Sequence, residues 1–147
     1  MRSVVHKSFG QIKRTGKVCL FRSHREGFRD GWQLRDFVYV KDAVQMTLFL
    51  YDHALKGIYN IGTGKARSFF DLTGAVFRAL GLEPNIEFID MPMEIRDKYQ
   101  YFTEAAMGKL FSKGFPAEKL HSLEDAVEDY VKNYMLSSDP YLGKETM

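Results

Sequence analysis

Two short stretches constrain this chain most: residues 33–42, Gln-Leu-Arg-Asp-Phe-Val-Tyr-Val-Lys-Asp, and residues 57–64, Gly-Ile-Tyr-Asn-Ile-Gly-Thr-Gly. Phe37 to Val40 is aromatic and β-branched, which predicts a short buried strand. Asp42 follows where its carboxylate could cap the free N–H groups of a helix. Val44, Leu48, Tyr51 and Leu55 fall on one face of that helix, and residues 58–61 read as a second strand closed by a glycine turn. Strand, helix, strand and glycine turn, with Arg35 at the mouth, make a frame that can hold a ligand. A guanidinium is planar, permanently charged and suited to two-pronged contact with a phosphate. The alternative is local: Arg35 and Asp36 pair with each other at a strand end, an exposed ion pair of little energetic weight.

Composition narrows the class. With 147 residues, 45% hydrophobic and 27% charged, the sequence suits one folded domain or part of a larger one. No apolar run approaches the roughly 20 residues needed to span a bilayer. Residues 1–7 lack the apolar core of a secretory signal, so a cytoplasmic location without a membrane partner is expected. The single cysteine, Cys19, is compatible with a reducing compartment. A net charge of +2 argues against a general nucleic-acid binder. Positive charge is locally in excess at Arg22, His24, Arg25, Arg29 and Arg35, against Glu26 and Asp30. That loop either faces an anion or is a solvated surface.

Along the chain, Val5, Phe9 and Ile12 predict a first helix over residues 1–15, stopped by Gly16. It starts at the first residue with no capping sequence ahead, as the back part of a longer chain would. Val18 to Phe21 reads as a strand, and residues 23–33 as a polar loop with exposed Phe28 and Trp32. Ser68, with Asp71 three residues on, opens a helix whose apolar face is Leu72, Ala75, Val76, Ala79 and Leu80, and Gly81 ends it. Residues 85–90 alternate as a half-buried strand should. Residues 94–102 read as a loop. Thr103 is expected to cap a helix to Lys113 with Met107 and Leu110 inward. Ser122 caps the last one, buried through Val127, Tyr130, Val131 and Tyr134, and a frayed tail covers 137–147.

Few catalytic patterns survive inspection. His6, Cys19, His24, His53 and His121 are too scattered for a metal centre. Gly64-Lys65-Ala66 fails the Walker pattern, and Gly62-Thr63-Gly64 is only a fragment of a dinucleotide fingerprint. No Tyr-x-x-x-Lys pair occurs. What remains is an anion-binding surface without a catalytic group.

Residues 35–42 and 57–64 together resemble the second half of the extended short-chain dehydrogenase/reductase family, which contains the NAD-dependent epimerases and dehydratases of nucleotide sugars. Three further stretches are similar to its ADP-heptose 6-epimerase branch: residues 98–105 (Lys-Tyr-Gln-Tyr-Phe-Thr-Glu-Ala), residues 1–5 (Met-Arg-Ser-Val-Val) and residues 64–69 (Gly-Lys-Ala-Arg-Ser-Phe). The resemblance covers residues 1–134. It implies an α/β fold made of the last Rossmann strand, at about 58–61, plus a small substrate-binding domain over 1–136, with the N-terminal Rossmann core missing.

For function, the resemblance implies inversion of C6″ between ADP-D-glycero-D-manno-heptose and ADP-L-glycero-D-manno-heptose by NADP-mediated oxidation and reduction, on the way to lipopolysaccharide core heptose. It places Arg35 against the ADP part, Tyr99 as a reach from the small domain, and Phe21, Arg22, Ser23 and His24 over the nucleotide. Lys7 stands where the family has a substrate-binding histidine. Ala106 replaces a frequent acid. The catalytic tyrosine and lysines and the cofactor fingerprint would lie upstream, so no catalytic or cofactor-binding residue is expected here, and the chain alone should be inactive. A homo-oligomer is expected when complete. The rival expectations are another nucleotide-sugar epimerase or dehydratase, or a non-catalytic binding module.

Overall fold

Ser3 begins the first helix. Its hydroxyl accepts the His6 N–H at 3.1 Å, so α1 (Val4–Thr15) is capped after all, and Gly16 closes it in the left-handed conformation at φ 70°. The computed structural model describes residues 3–137; the expected tail lies, apart from Ser137, outside the described residues. The chain continues through β1 (Val18–Phe21), β2 (Leu34–Arg35), α2 (Val40–Asp52), β3 (Arg67–Ser68), α3 (Phe69–Ala79) and β4 (Ile86–Ile89). The short helices α4 (Met93–Arg96) and α5 (Gly108–Phe111) follow, and α6 (Leu123–Tyr130) runs on into a wider turn over Val131–Met135.

Two small pairings organise this α/β mixture. β1 runs parallel to β4 with Leu20 opposite Phe88, and β2 runs antiparallel to β3 with Arg35 opposite Arg67. Leu34 also bridges to Phe102, which carries the 99–103 segment alongside β2. One core joins α1, β1, α3 and α6 through Ile12, Leu20, Val76, Phe77, Val127 and Val131. A second joins α2 to α5 through Met46, Met107, Leu110 and Phe115. The predicted caps of α3 and α6 form: Ser68 and Asp71 exchange both bonds of a capping box, and Ser122 accepts from the Asp125 N–H. Arg67 then clamps α6 to the start of α3 with bonds of 3.3 and 2.7 Å to Glu124 and one of 3.3 Å to Asp71.

Several expectations fail, each for a physical reason. Residues 37–39 form no strand, because no neighbour offers them a ladder, and Val40 already belongs to α2. Residues 58–61 likewise join no sheet; the Ile58 carbonyl accepts from Lys109 Nζ at 2.7 Å instead. Thr103 caps nothing, since α5 begins only at Gly108, although Met107 and Leu110 are buried as expected. The apolar face assigned to α2 points outward: Val44, Leu48 and Tyr51 are 51%, 53% and 82% exposed.

That last reversal has its cause in Asp42. It is no cap; the N-cap position is Tyr39. The Asp42 side chain is completely buried and accepts the His121 N–H at 3.1 Å and the His121 Nδ1–H at 2.5 Å. Turning Asp42 and Met46 inward forces Val44 and Leu48 outward. A second tie holds the same helix start: the Asp129 carboxylate accepts from Lys41 Nζ at 2.7 Å and from the Tyr39 hydroxyl. Asp42→Ala leaves the two His121 donors without their carboxylate, so thermal unfolding should show a loss of about 2–4 kcal/mol. An unchanged melting temperature would contradict this role.

Candidate functional site

The loop between β1 and β2 is shaped from within. Gly31, at φ 75°, packs so close that a Cβ there would meet Phe88 at 3.0 Å and Leu20 at 3.1 Å. Its N–H donates to the Phe21 carbonyl at 3.1 Å. The end of β1 therefore folds back over α1 and toward the 99–101 segment. Between these elements lies a cavity of about 350 Å³ lined by Lys7, Ser8, Phe21, Gln33, Phe69 and Tyr99 among others. Lys7, Phe21 and Tyr99 all line this cavity. The Tyr99 ring stands edge-on to Phe21 at 6.3 Å.

Arg35 does not line the cavity but stacks behind it. Its guanidinium lies 5.4 Å from the Tyr99 ring centre and 5.9 Å from that of Phe69. Nη1 donates to the Leu34 carbonyl at 2.7 Å, and Nη2 donates to the Gln100 carbonyl. Among the described residues no carboxylate comes within ion-pairing distance of Arg35. Burial pushes the Tyr99 hydroxyl above its ordinary range, with the Arg35 charge opposing. Arg22, Ser23 and His24 lie beyond the lining: Arg22 faces Asp30 at 3.9 Å and Asp90 at 3.7 Å, the Ser23 N–H donates to Asp30 at 2.8 Å, and the His24 N–H donates to the Tyr101 hydroxyl at 2.9 Å.

The Arg35–Asp36 ion pair does not form, because Asp36 is taken. One oxygen accepts from Thr63 N–H at 2.9 Å and Thr63 Oγ1 at 2.6 Å; the other accepts from Gly64 N–H at 2.9 Å and Ala105 N–H at 3.0 Å. The glycine turn is wrapped around this carboxylate. A Cβ on Gly62 would meet the Ala105 Cβ at 2.4 Å and an Asp36 oxygen at 2.8 Å. A dinucleotide pyrophosphate needs free turn N–H groups and room for its oxygens. In Gly62-Thr63-Gly64 the Thr63 and Gly64 N–H groups are taken by Asp36 and the turn packs against Ala105, so this turn is not open to a pyrophosphate in the fingerprint manner. Among the described residues no cluster of three His, Cys, Asp or Glu is placed to hold a metal ion, and no helix is long and apolar enough to cross a membrane.

Two buried residues of the site escape a reading of the sequence. Gln33, 1% exposed, reaches the Phe21 and Arg22 carbonyls, and Tyr101, 5% exposed, holds His24. Gln33 gave no distinct signal, as a polar residue ahead of the mixed Leu34-Arg35-Asp36 run. Tyr101 gave none, since it fills an unspecified place in its motif.

Comparison with known proteins shows what the chain is similar to. Residues 1–62 match the model of the NAD dependent epimerase/dehydratase family. Over 143 residues the chain is 50% identical to the ADP-L-glycero-D-manno-heptose-6-epimerase of Nitratidesulfovibrio vulgaris, covering 97% of this chain and 44% of that protein. The Fusobacterium nucleatum protein of the same name is 50% identical over 149 residues, with 97% and 45% coverage. The chain therefore spans less than half the length of the curated relatives it matches. Among solved structures, the Helicobacter pylori ADP-L-glycero-D-manno-heptose-6-epimerase superposes with a TM-score of 0.71 at 25% identity, over 90% of this chain and 38% of that one. The Thermus thermophilus UDP-glucose 4-epimerase, in complex with NAD, gives 0.66 at 25% identity, with 84% and 37% coverage. The fold is thus that of part of an extended short-chain dehydrogenase/reductase epimerase.

The carboxylates of the epimerase/dehydratase-like frame carry a pH signature. Burial alone would raise Asp36, but the hydrogen bonds from Thr63, Ala105 and Gly64 outweigh it and hold the group below the usual carboxylate range. Lys41, then Tyr39 and Asn133, hold Asp129 at about 2. Both pKa values are depressed on folding, so this stability is present above the unfolded value of about 4 and is lost as pH falls through the folded values. Stability followed by urea unfolding should decline between pH about 5 and about 2, with a shallower slope in Asp36→Asn. Equal slopes for the two proteins would contradict the role given to Asp36.

Proposed function

We propose that this chain is the substrate-binding part of an ADP-L-glycero-D-manno-heptose 6-epimerase, gripping the ADP end of the sugar nucleotide through Arg35 and Tyr99. The observation that carries the reading is the unpaired charge of Arg35. With Asp36 committed to the glycine turn, the guanidinium stands behind Tyr99, outside the cavity lining, and no carboxylate among the described residues neutralises it. A diphosphate would meet that charge through paired donors. Phe21 and Tyr99 supply aromatic edges for the nucleotide, Arg22, Ser23 and His24 extend that wall, and Lys7 adds a cation from α1.

The substrates on this reading are ADP-D-glycero-D-manno-heptose and its L-glycero epimer, in a cytoplasmic enzyme supplying lipopolysaccharide core heptose. NADP is assigned to residues outside these 147, in keeping with a glycine turn that is not open to a pyrophosphate. Homo-oligomeric assembly belongs to the same reading. The outward face of α2 supports it too. Val44, Leu48, Tyr51 and the 89%-exposed Ile58 make an apolar surface, and the relatives carry over half their length outside the matched part to cover it.

Isothermal titration of the chain with ADP, UDP and dTDP tests the assignment. ADP should bind most tightly, and Arg35→Ala should weaken it by about 1.5–3 kcal/mol, the range for a hydrogen bond to a charged group. With NADP present, the chain alone should leave ADP-D-glycero-D-manno-heptose unconverted. Equal affinity for the three nucleotides would favour a different nucleotide-sugar epimerase; an unchanged ADP affinity in Arg35→Ala would remove the arginine from the site.

A further inference from the structure

The Arg22 N–H still donates to the Ile89 carbonyl at 2.8 Å, but beyond it the backbone toward His24 leaves the ladder and side chains take over. Gln33 Nε2 donates to the Phe21 carbonyl at 3.3 Å and to the Arg22 carbonyl at 3.5 Å. The Ser23 N–H is taken by Asp30 at 2.8 Å, and the His24 N–H by the Tyr101 hydroxyl at 2.9 Å. Beyond Arg22 the segment has no ladder to satisfy its polar groups, so partners of this sort decide its shape there. Gln33 and Tyr101 are also coupled to each other: the N–H of Leu34, next to Gln33, donates to the Tyr101 carbonyl at 2.8 Å. The Tyr101 ring stands edge-on to Tyr99 at 5.6 Å and packs on Phe28 at 5.1 Å. One buried clamp therefore touches both walls of the cavity, the end of β1 and the 99–101 segment.

We propose that Gln33 and Tyr101 are positioning residues that preorganise Phe21 to His24 for a nucleotide, by fixing that segment's backbone before the ligand arrives. Neither needs to touch the ligand through its hydroxyl or amide donor. Their contribution is ordering that the ligand then does not have to supply, and ordering is a direct cost to affinity. The proposal rests on the reading of this cavity as a nucleotide site.

Tyr101→Phe deletes one hydroxyl and keeps the ring. At a temperature where circular dichroism shows it fully folded, its affinity for ADP by isothermal titration should fall about three- to tenfold, the equivalent of one lost neutral hydrogen bond. Amide exchange of the unliganded variant should show lost protection at His24, with α3 unchanged. Gln33→Glu provides a second readout that mere structural damage would not mimic. Ionised, the new carboxyl can only accept and faces two carbonyls; protonated, it can donate to one of them. Its ADP affinity relative to the wild type should therefore recover as pH is lowered. Should that variant not fold, Tyr101→Phe decides alone. No ADP binding by the wild-type chain would overturn the nucleotide reading itself. Wild-type binding matched by both variants, with a flat pH ratio, would overturn the clamp and leave the nucleotide reading intact.

Discussion

The Asp36 carboxylate is the interaction on which the site depends. Four donors from two distant segments converge on its two oxygens: Thr63 N–H, Thr63 Oγ1, Gly64 N–H and Ala105 N–H. The chain is thereby pinned at three places at once, at residues 36, 63–64 and 105. Charged acceptors with several backbone donors form the stronger class of hydrogen bond, and here they are partly shielded from water. Two consequences follow. The glycine turn is closed to a phosphate, and the neighbouring Arg35 is released from the ion pair its adjacency suggests. An arginine that has only carbonyl and aromatic neighbours keeps its charge available to a ligand.

Around this pin the fold uses long-range polar ties where its cores do not meet. Asp42 reaches His121, Asp129 receives Tyr39 and Lys41, and Arg67 spans to Glu124. Each links α2 or β3 to the C-terminal helix α6 or the turn just before it. Only Asp42 among these groups is fully buried, so its tie is the costly one to break: a buried carboxylate deprived of its partner stays uncompensated, whereas the half-exposed ties contribute mainly orientation. They therefore fix the orientation of α2, and with it which of two apolar faces looks outward.

Much of this was legible in the sequence wherever the signal is local. Ser68 with Asp71, and Ser122 with Asp125, announce their helices because a cap and its N3 partner sit three residues apart. The period of Leu72, Val76 and Ala79 gives the buried face of α3, and alternation gives β4. Non-local choices were hidden. The β-branched run at 37–40 has strand propensity but no partner strand, and propensity yields to context. Periodicity shows that α2 carries Val44 and Leu48 on one face, but not that Asp42 is pulled inward by a histidine 79 residues away. Of the cavity lining, Phe21 and Tyr99 were named through the resemblance to the epimerase family, and Lys7 as a departure from it, while Arg35, named in the same way, lies behind the lining. Gln33 and Tyr101 act through backbone groups brought close only by folding, so no spacing rule could mark them.

Asp36 and Arg35, adjacent in sequence, have different partners: Asp36 holds the turn, and Arg35 is left for the proposed ADP moiety. A crystal structure of the chain soaked with ADP tests it most directly. Electron density for the diphosphate should lie within hydrogen-bonding reach of the Arg35 guanidinium, beside Phe21 and Tyr99, with Asp36 still bound to Thr63, Gly64 and Ala105. Density seated on the glycine turn, or an Arg35–Asp36 ion pair with the cavity empty, would contradict it.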